Sequence, residues 1–327
     1  MKIFITGGTG NIGQYVTKEL LAAGHSLVML TRTPERIPHL TEQKNVTAVR
    51  GTILDFEVME QALVGCDAVI HIALGWGNTP TAMLTKDTLV TAFLAEKAEQ
   101  AGAKNFVYTS STAASGHWED GLDENAILTP VDLYGATKAA AEMFLLGFDQ
   151  YYTGQGKAGE KTKLRRNIIR PGYTFSNPAF PGGASQSDVR FRDIARAVLK
   201  GEDITLSPND GTQFISAAQI AQVYRKIVES GSLNKEVFYA LGKQFTTWVE
   251  IAKMAIDLAG GTKSTIKFPK GDETEKKHDL ISVEKIKRVL NLEFDATDAL
   301  REHIRWNIER EQKVLAGEKV HDVYHVW

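Results

Sequence analysis

"KIFITGGTGNIGQYVTKELLAAGHSLVMLTRT", residues 2–33, decides the fold. Ile3, Phe4 and Ile5 form a short β-branched and aromatic run, which reads as a buried strand. Ile12, Val16, Leu20 and Leu21 then recur at helical spacing until Gly24 stops the helix. A second apolar run, 27–30, follows. Three glycines, Gly7, Gly10 and Gly13, lie between the first strand and the helix. One permits a tight bend, another lets backbone approach a pyrophosphate, and the third lets helix and strand pack closely. The helix N-terminus attracts the phosphate charge. Three glycines alone arise by chance. Between a strand and a helix they predict a dinucleotide site over Gly7, Gly10, Asn11, Ile12 and Gly13.

Outward from this stretch, strand-like runs recur at 46–50, 68–72, 105–109 and 167–170. Helical patterns separate them at 56–64, 81–101 and 133–148. The alternation predicts an α/β fold, a doubly wound parallel sheet. After Pro171 prolines and glycines appear, and helical patterns then dominate at 189–199, 217–229, 248–258, 283–290 and 297–315. We therefore expect a dinucleotide-binding domain over 1–172 and a smaller, mostly helical substrate lobe over 173–327. Later elements are free to return to the first domain. "TGQGKAGEKTK", residues 153–163, lacks periodicity and reads as a flexible surface loop.

The 327 residues are 43% hydrophobic, enough for a sizeable core, and the net charge of −2 gives no argument for nucleic acid or an anionic membrane. The single cysteine, Cys66, excludes an internal disulfide framework, suits a reducing cytoplasm and reads as a small buried filler. The chain enters its first strand at once, so we expect no signal peptide. No apolar stretch reaches the roughly 20 residues that span a bilayer. No histidine, cysteine or carboxylate cluster has metal-ligand spacing.

Two further stretches carry chemistry. "NFVYTSSTAASG", 105–116, is a strand running out into small hydroxyl residues, and "PVDLYGATKAAAEMF", 130–144, opens a helix. Tyr134 and Lys138 stand four apart, one turn along the same helical face. A free phenol titrates near pH 10, too high for an efficient base near neutrality, and a neighbouring ammonium stabilises the phenolate. A serine at the strand end can hold the substrate oxygen while a nicotinamide moves a hydride. The same spacing recurs at Tyr239 and Lys243 in "YALGK". That copy contains Gly242 and follows a strand-like run, so the first pair is preferred.

On these residues the chain resembles the extended short-chain dehydrogenase/reductases, especially the NAD-dependent epimerase/dehydratase group, over nearly its whole length. "TGGTGNIG" is similar to their cofactor fingerprint. "GTILD" resembles the segment that puts Asp55, with Ile53 and Leu54, near adenine. "HIA", 71–73, resembles the strand end that lines the cofactor at Ala73. "RPG", 170–172, resembles the strand end, Pro171 and Gly172, that enters the substrate lobe. The resemblance implies Ser111, Tyr134 and Lys138 as catalytic residues, with Lys138 also on the cofactor ribose. Departures narrow the substrate. Tyr173 stands where nucleotide-sugar members have an asparagine, and Ser176–Asn177 replaces a glycine–proline pair. Ser115 replaces a tyrosine, Gln219 an aspartate, and the diphosphate-binding arginine is missing from "DGTQFISAAQIA". The resemblance thus implies an oxidoreductase acting on a small carbonyl or alcohol. The alternative is a nucleotide-sugar epimerase or dehydratase that retains its cofactor, although Thr112 argues against the dehydratase branch. A third reading, a catalytically silent cofactor sensor, sits poorly with the intact tyrosine–lysine pair.

Which nicotinamide is expected follows from the end of the second strand. NAD sites carry an acid there; this chain has Thr31 followed by Arg32, which favours NADP over NAD. For the substrate, Trp76 in "LGWGN" either closes over the nicotinamide or a ring substrate, or packs under its loop. His117, Trp118 and Tyr173 are further candidates, while His71 suits a core hydrogen bond beside the cofactor. The tail "HDVYHVW", 321–327, is expected to dock onto the body. By analogy, a homodimer would form through helices 81–101 and 133–148, with Ala139, Ala140 and Ala141 allowing close approach.

Overall fold

Ile3 and Ile5 join one buried cluster and Phe4 another, as period-two alternation requires of a strand covered on both faces. A computed structural model describes residues 1–152, 158–272 and 277–320. Here β1 (Lys2–Thr6) is central, with β2 (Ser26–Thr31), β3 (Val46–Arg50), β4 (Ala68–His71), β5 (Asn105–Thr109), β6 (Arg165–Pro171) and β7 (Val237–Ala240). The seven strands run in the order β7-β6-β5-β4-β1-β2-β3, all parallel. The order reverses between β1 and β4, the switch point at which open α/β sheets take ligands beyond the strand carboxyl ends.

The helices are α1 (Asn11–Ala22), α2 (Phe56–Leu63), α3 (Leu89–Gln100), α4 (Leu133–Gly147), α5 (Val189–Lys200), α6 (Ala217–Glu229), α7 (Trp248–Ala259), α8 (Glu284–Leu290) and α9 (Thr297–Leu315). Residues of α1, α6 and α8 pack with Ile3 and Ile5 on one face. Residues of α2, α3 and α4 pack with Phe4, Val69 and Phe106 on the other. Phe175, Phe191, Phe214, Trp248 and Leu300 build a separate core in the second lobe, where α5, α7 and α9 meet.

Elements beyond residue 172 return to the first domain, as the expected division left open: β7 extends the main sheet beside β6, and α6 packs onto the face of α1. Gln219 starts that helix by closing a capping box with Ser216, and its amide also donates to the Asp295 carbonyl at 2.8 Å. The span 81–101 is not one regular helix; a short turn (Pro80–Met83) leads into a π-helical segment (Leu84–Thr88) before α3. The stretch 153–163 is not all loop, because Ala158–Lys161 pairs antiparallel with Gln150–Tyr152. Local periodicity cannot reveal a short pair whose partner supplies the order. The expected docking of 321–327 lies outside the described residues. Among those described, no helix is long and apolar enough to cross a membrane.

Candidate active site

The glycine turn has the shape a dinucleotide needs. Gly7 has φ of 73°, and a Cβ there would sit 2.5 Å from the Ala73 nitrogen. A Cβ on Gly13 would sit 1.9 Å from the Gly7 carbonyl oxygen, so α1 starts directly against the turn. Gly10 precedes α1 without any side-chain cap, which leaves amides at the helix start for an anion. Thr6 ties the neighbouring strand end in: its hydroxyl meets His71 Nδ1 at 2.6 Å and accepts from the Ala73 amide at 3.3 Å. Burial, and then the Lys138 charge, pushes His71 down to about 3, so it serves as a neutral strut beside the cofactor cleft.

Beyond β2, Thr9, Thr31, Arg32, Thr33 and Arg36 line one concavity, with Gly182 and Ala184 across it. Arg50 pairs with Glu35, the acid between the two arginines, and donates to the Arg32 carbonyl at 3.2 Å. Among the described residues neither Arg32 nor Arg36 enters an ion pair. Arg36 was not singled out from the sequence, although the basic residue four beyond Arg32 was the available signal. In the "GTILD" turn, Asp55 is exposed and accepts from the Thr52 amide at 2.6 Å; Ile53 is half-buried and Leu54 exposed. At the end of β6, the Gly172 amide donates to the Ala240 carbonyl at 3.1 Å, and a Cβ there would overlap Leu241.

The segment 176–186 is strapped to the start of α1. Asn11 donates to Gln186 Oε1 at 2.8 Å and accepts from the Ser176 hydroxyl; Gln14 donates to the Ala184 carbonyl at 2.5 Å. The Asn11 side chain is thereby engaged with the second lobe, and its backbone amide stands at the start of α1. Ile12 packs half-buried against the core.

The three residues expected to be catalytic lie on two elements, Ser111 on the turn after β5 and Tyr134 with Lys138 on α4. Ser111 caps the 3₁₀ turn Thr112–Ser115, accepting from the Ala113 amide at 3.1 Å, which leaves its own O–H to donate. Its neighbours differ: Ser110 is buried and donates to Glu142, and Thr112 is buried. Asp132 caps α4 by accepting from the Gly135 amide at 2.6 Å. A Cβ on Gly135 would sit 2.3 Å from the Ala113 carbonyl oxygen, so this glycine presses the start of α4, with Tyr134, onto the serine turn. Lys138 is buried, with Nζ donating to the Thr109 carbonyl at 3.1 Å and to Asp87 Oδ1 at 3.3 Å, and lying 5.9 Å from the Tyr134 ring centre. Trp76 is 53% exposed, its ring centre 6.2 Å from that of Tyr134. A Cβ on Gly75 would sit 2.1 Å from the Lys86 carbonyl oxygen, so the tryptophan stands on a loop pressed against the π-helical segment. It does not pack under that loop.

The rest of the predicted substrate set is less concentrated. His117 and Trp118 are exposed just past Gly116. Tyr173 gives its hydroxyl to Asp188, and burial with that carboxylate raises its phenol well above the ordinary range. Arg190 donates to Asp188 at 2.9 Å and to Asp210 at 2.9 Å, and lies 4.0 Å over the Trp248 ring. This arginine of the second lobe is held between two carboxylates. No group of three His, Cys, Asp or Glu side chains able to hold a metal occurs among the described residues.

A family model described as NAD(P)H-binding matches residues 7–231. The chain belongs to the NAD(P)H-binding family. As a member it is 29% identical over 159 residues to a 3-beta-hydroxysteroid dehydrogenase of Mycolicibacterium neoaurum, covering 45% of this chain and 43% of that protein. It is also 30% identical over 213 residues to a 3 beta-hydroxysteroid dehydrogenase/Delta 5-->4-isomerase of Mycobacterium tuberculosis, covering 61% and 52%. The chain thus spans about half the length of these curated relatives. Its fold matches the UDP-glucuronic acid 4-epimerase of Bacillus cereus, solved with NAD, at a TM-score of 0.73 and 18% identity, over 96% of this chain and 99% of that one. The resemblance to extended short-chain dehydrogenase/reductases is borne out. The glycine cradle fits an NAD(P) cofactor of this family: a Cβ on Gly7 or Gly13 would strike backbone, and Arg32 and Arg36 line the concavity beyond β2.

Proposed function

We propose that the chain is an NADP-dependent oxidoreductase that reduces a small carbonyl compound. The observation that carries this reading is Gly135, next to Tyr134, pressed against the Ala113 carbonyl of the Ser111 turn, with the Lys138 ammonium 5.9 Å from the Tyr134 ring. When bound, the cofactor supplies a hydride to the carbonyl carbon. The chain's own residues handle the oxygen. The Ser111 hydroxyl donates to it and orients the carbonyl, and the Tyr134 phenol gives it a proton. Lys138 donates to the ribose hydroxyls and stabilises the phenolate left behind. Gly7, Gly10 and Gly13, with the amides of Asn11 and Ile12, would hold the pyrophosphate. Thr31 and Arg32 would hold the adenosine ribose and its phosphate, Asp55 with Ile53 and Leu54 would border the adenine, and Ala73, Pro171 and Gly172 would line the nicotinamide end.

The nucleotide-sugar alternative is disfavoured by charge. Arg190 is neutralised by Asp188 and Asp210, and Tyr173 is engaged with the same Asp188. A diphosphate would have to break this network. NADPH oxidation measured against a panel of aldehydes, ketones and aromatic diketones tests the reading, beside calorimetric titration with UDP-sugars. Turnover of a carbonyl without UDP-sugar binding supports it. Micromolar UDP-sugar binding with no NADPH consumption restores the epimerase. A cytoplasmic setting and a homodimer belong to the same reading. The dimer face would carry Leu89, Met143 and Phe144, all exposed, because Ala141 is turned into the chain's own core.

A further inference from the structure

The helix that passes beneath the catalytic pair is irregular where it does so. Residues Leu84–Thr88 form a π-helical segment, a device that re-aims side chains and is frequent at functional sites. It turns Asp87 fully into the protein, with Oδ1 3.3 Å from Lys138 Nζ. The neighbouring Thr88 donates to the Thr137 carbonyl at 3.1 Å and meets the Thr137 hydroxyl at 2.7 Å, fastening the segment to α4 one residue before Lys138. Thr91 closes the turn from the other side, donating to the Asp87 carbonyl at 2.9 Å.

Asp87 is poorly explained as a stabilising residue. Its second oxygen, Oδ2, is buried without a hydrogen-bond partner. A buried ion pair is at best weakly stabilising, and a half-satisfied carboxylate makes it worse. Its contribution lies in what it does to Lys138. We propose that Asp87 is a positioning residue: its carboxylate fixes the Lys138 ammonium and weakens the field that this ammonium projects onto Tyr134. The proposal rests on the reading of Tyr134 and Lys138 as the proton-handling pair. Of the three Lys138 N–H groups, one goes to Asp87 and one to the Thr109 carbonyl, which leaves a third to donate. An ammonium favours phenolate; a carboxylate beside it opposes that effect. Asp87 therefore keeps Tyr134 as the proton-carrying phenol that carbonyl reduction needs.

The other ionisable groups around the pair are His71 on β4, Tyr108 on β5, Glu142 on α4 and Tyr224 on α6, whose phenol meets the Thr109 hydroxyl at 2.5 Å and is raised well above the ordinary range by burial. Burial, aided by Lys138, holds His71 near 3, and burial with Asp87 pushes Tyr108 far above an ordinary phenol. Glu142 is paired with Arg170 at 2.7 Å.

Tyrosinate absorbance followed through an alkaline titration, each protein read against the same protein carrying Tyr134→Phe, isolates this one phenol without any substrate. Asp87→Asn keeps the shape and removes the charge. Its midpoint is expected to fall by about one pH unit, with NADPH binding retained. Asp87→Ser carries the same expectation should the amide variant misfold. A midpoint that stays in place or rises overturns the proposal. Turnover surviving Tyr134→Phe overturns instead the reading of the pair on which it rests.

Discussion

Tyr134 and Lys138 share α4, whereas Tyr239 lies in β7 and Lys243 in the loop beyond it. Both pairs have the same spacing. On a helix, four residues bring two side chains back to one face; off the end of a strand they carry them far apart. Lys243 pairs with Asp295 at 3.4 Å near the surface. Tyr239 is fully buried, with its hydroxyl 2.5 Å from that of Ser115 and accepting from Arg170 at 3.2 Å. Arg170 in turn grips Glu142 on α4. The second tyrosine is thus a brace beneath the serine turn and α4. It also explains Ser115, whose small side chain leaves room for that phenol.

The sharpest way to break this contrast is to remove each hydroxyl. Tyr134→Phe is expected to lower turnover by about 10²–10⁴-fold with NADPH affinity intact, since only the proton donor is lost. Tyr239→Phe is expected to leave turnover within about tenfold while costing about 1–3 kcal/mol of stability, because Ser115 and Arg170 lose a buried partner. Steady-state rates and urea unfolding on the two variants decide it. Equal losses of activity would abolish the distinction.

The lysines should separate next. Lys138→Ala strands Asp87 as an uncompensated buried charge, so a loss of about 3–5 kcal/mol is expected beside the loss of activity. Lys243→Ala removes a surface pair and should cost under about 1 kcal/mol. Thermal unfolding followed by circular dichroism gives both values. Gly135→Ala tests the contact that gives the first pair its meaning. The added methyl must displace the Ala113 carbonyl or the start of α4, and a shift near 1 Å is expected to lower turnover about 10²-fold. Unchanged rates would show that the serine turn and the helix need not touch.

The same contrast shows which parts were legible in the sequence. The sheet was, because each strand is a short apolar run and each helix a 3.6-residue pattern, and both signals are local. The glycine turn and the Tyr134–Lys138 pair were legible because their chemistry is fixed by spacing within one element. What was hidden depends on residues far apart in the chain. Asp87 is one acid in the run "MLTKDTLVTAFL", and nothing there shows that a π-helical segment aims it inward. Gly135 reads as an ordinary helix glycine until the Ala113 carbonyl is placed 2.3 Å from its missing Cβ. The Asn11 side chain gives no sign in the sequence that its partners, Ser176 and Gln186, arrive from 165 and 175 residues away. That later elements could return to the first domain was foreseen, but not that β7 would be the one beside β6, since a four-residue strand does not announce its neighbour.

The smallest expected effect concerns the concavity beyond β2, where two arginines rather than two pairs are compared. Thr31 stands where an NAD site has an acid, so nothing repels a 2′-phosphate. Glu35 could have neutralised the pocket, but Arg50 holds it. That leaves the guanidinium groups of Arg32 and Arg36 lining one hollow with Thr31 and Thr33, a set of donors suited to a dianion. Native protein should therefore bind NADPH more tightly than NADH. Arg32→Ala is expected to weaken NADPH about tenfold and leave NADH unchanged, since a charge-assisted hydrogen bond contributes about 1.5–3 kcal/mol. Arg36→Ala should act in the same sense but less, because its neighbour remains. Fluorescence titration of both nicotinamides against the three proteins measures this. Tighter NADH binding by the native protein, or an Arg32→Ala variant with unaltered preference, would move the cofactor assignment to NAD and reduce the arginines to surface charges.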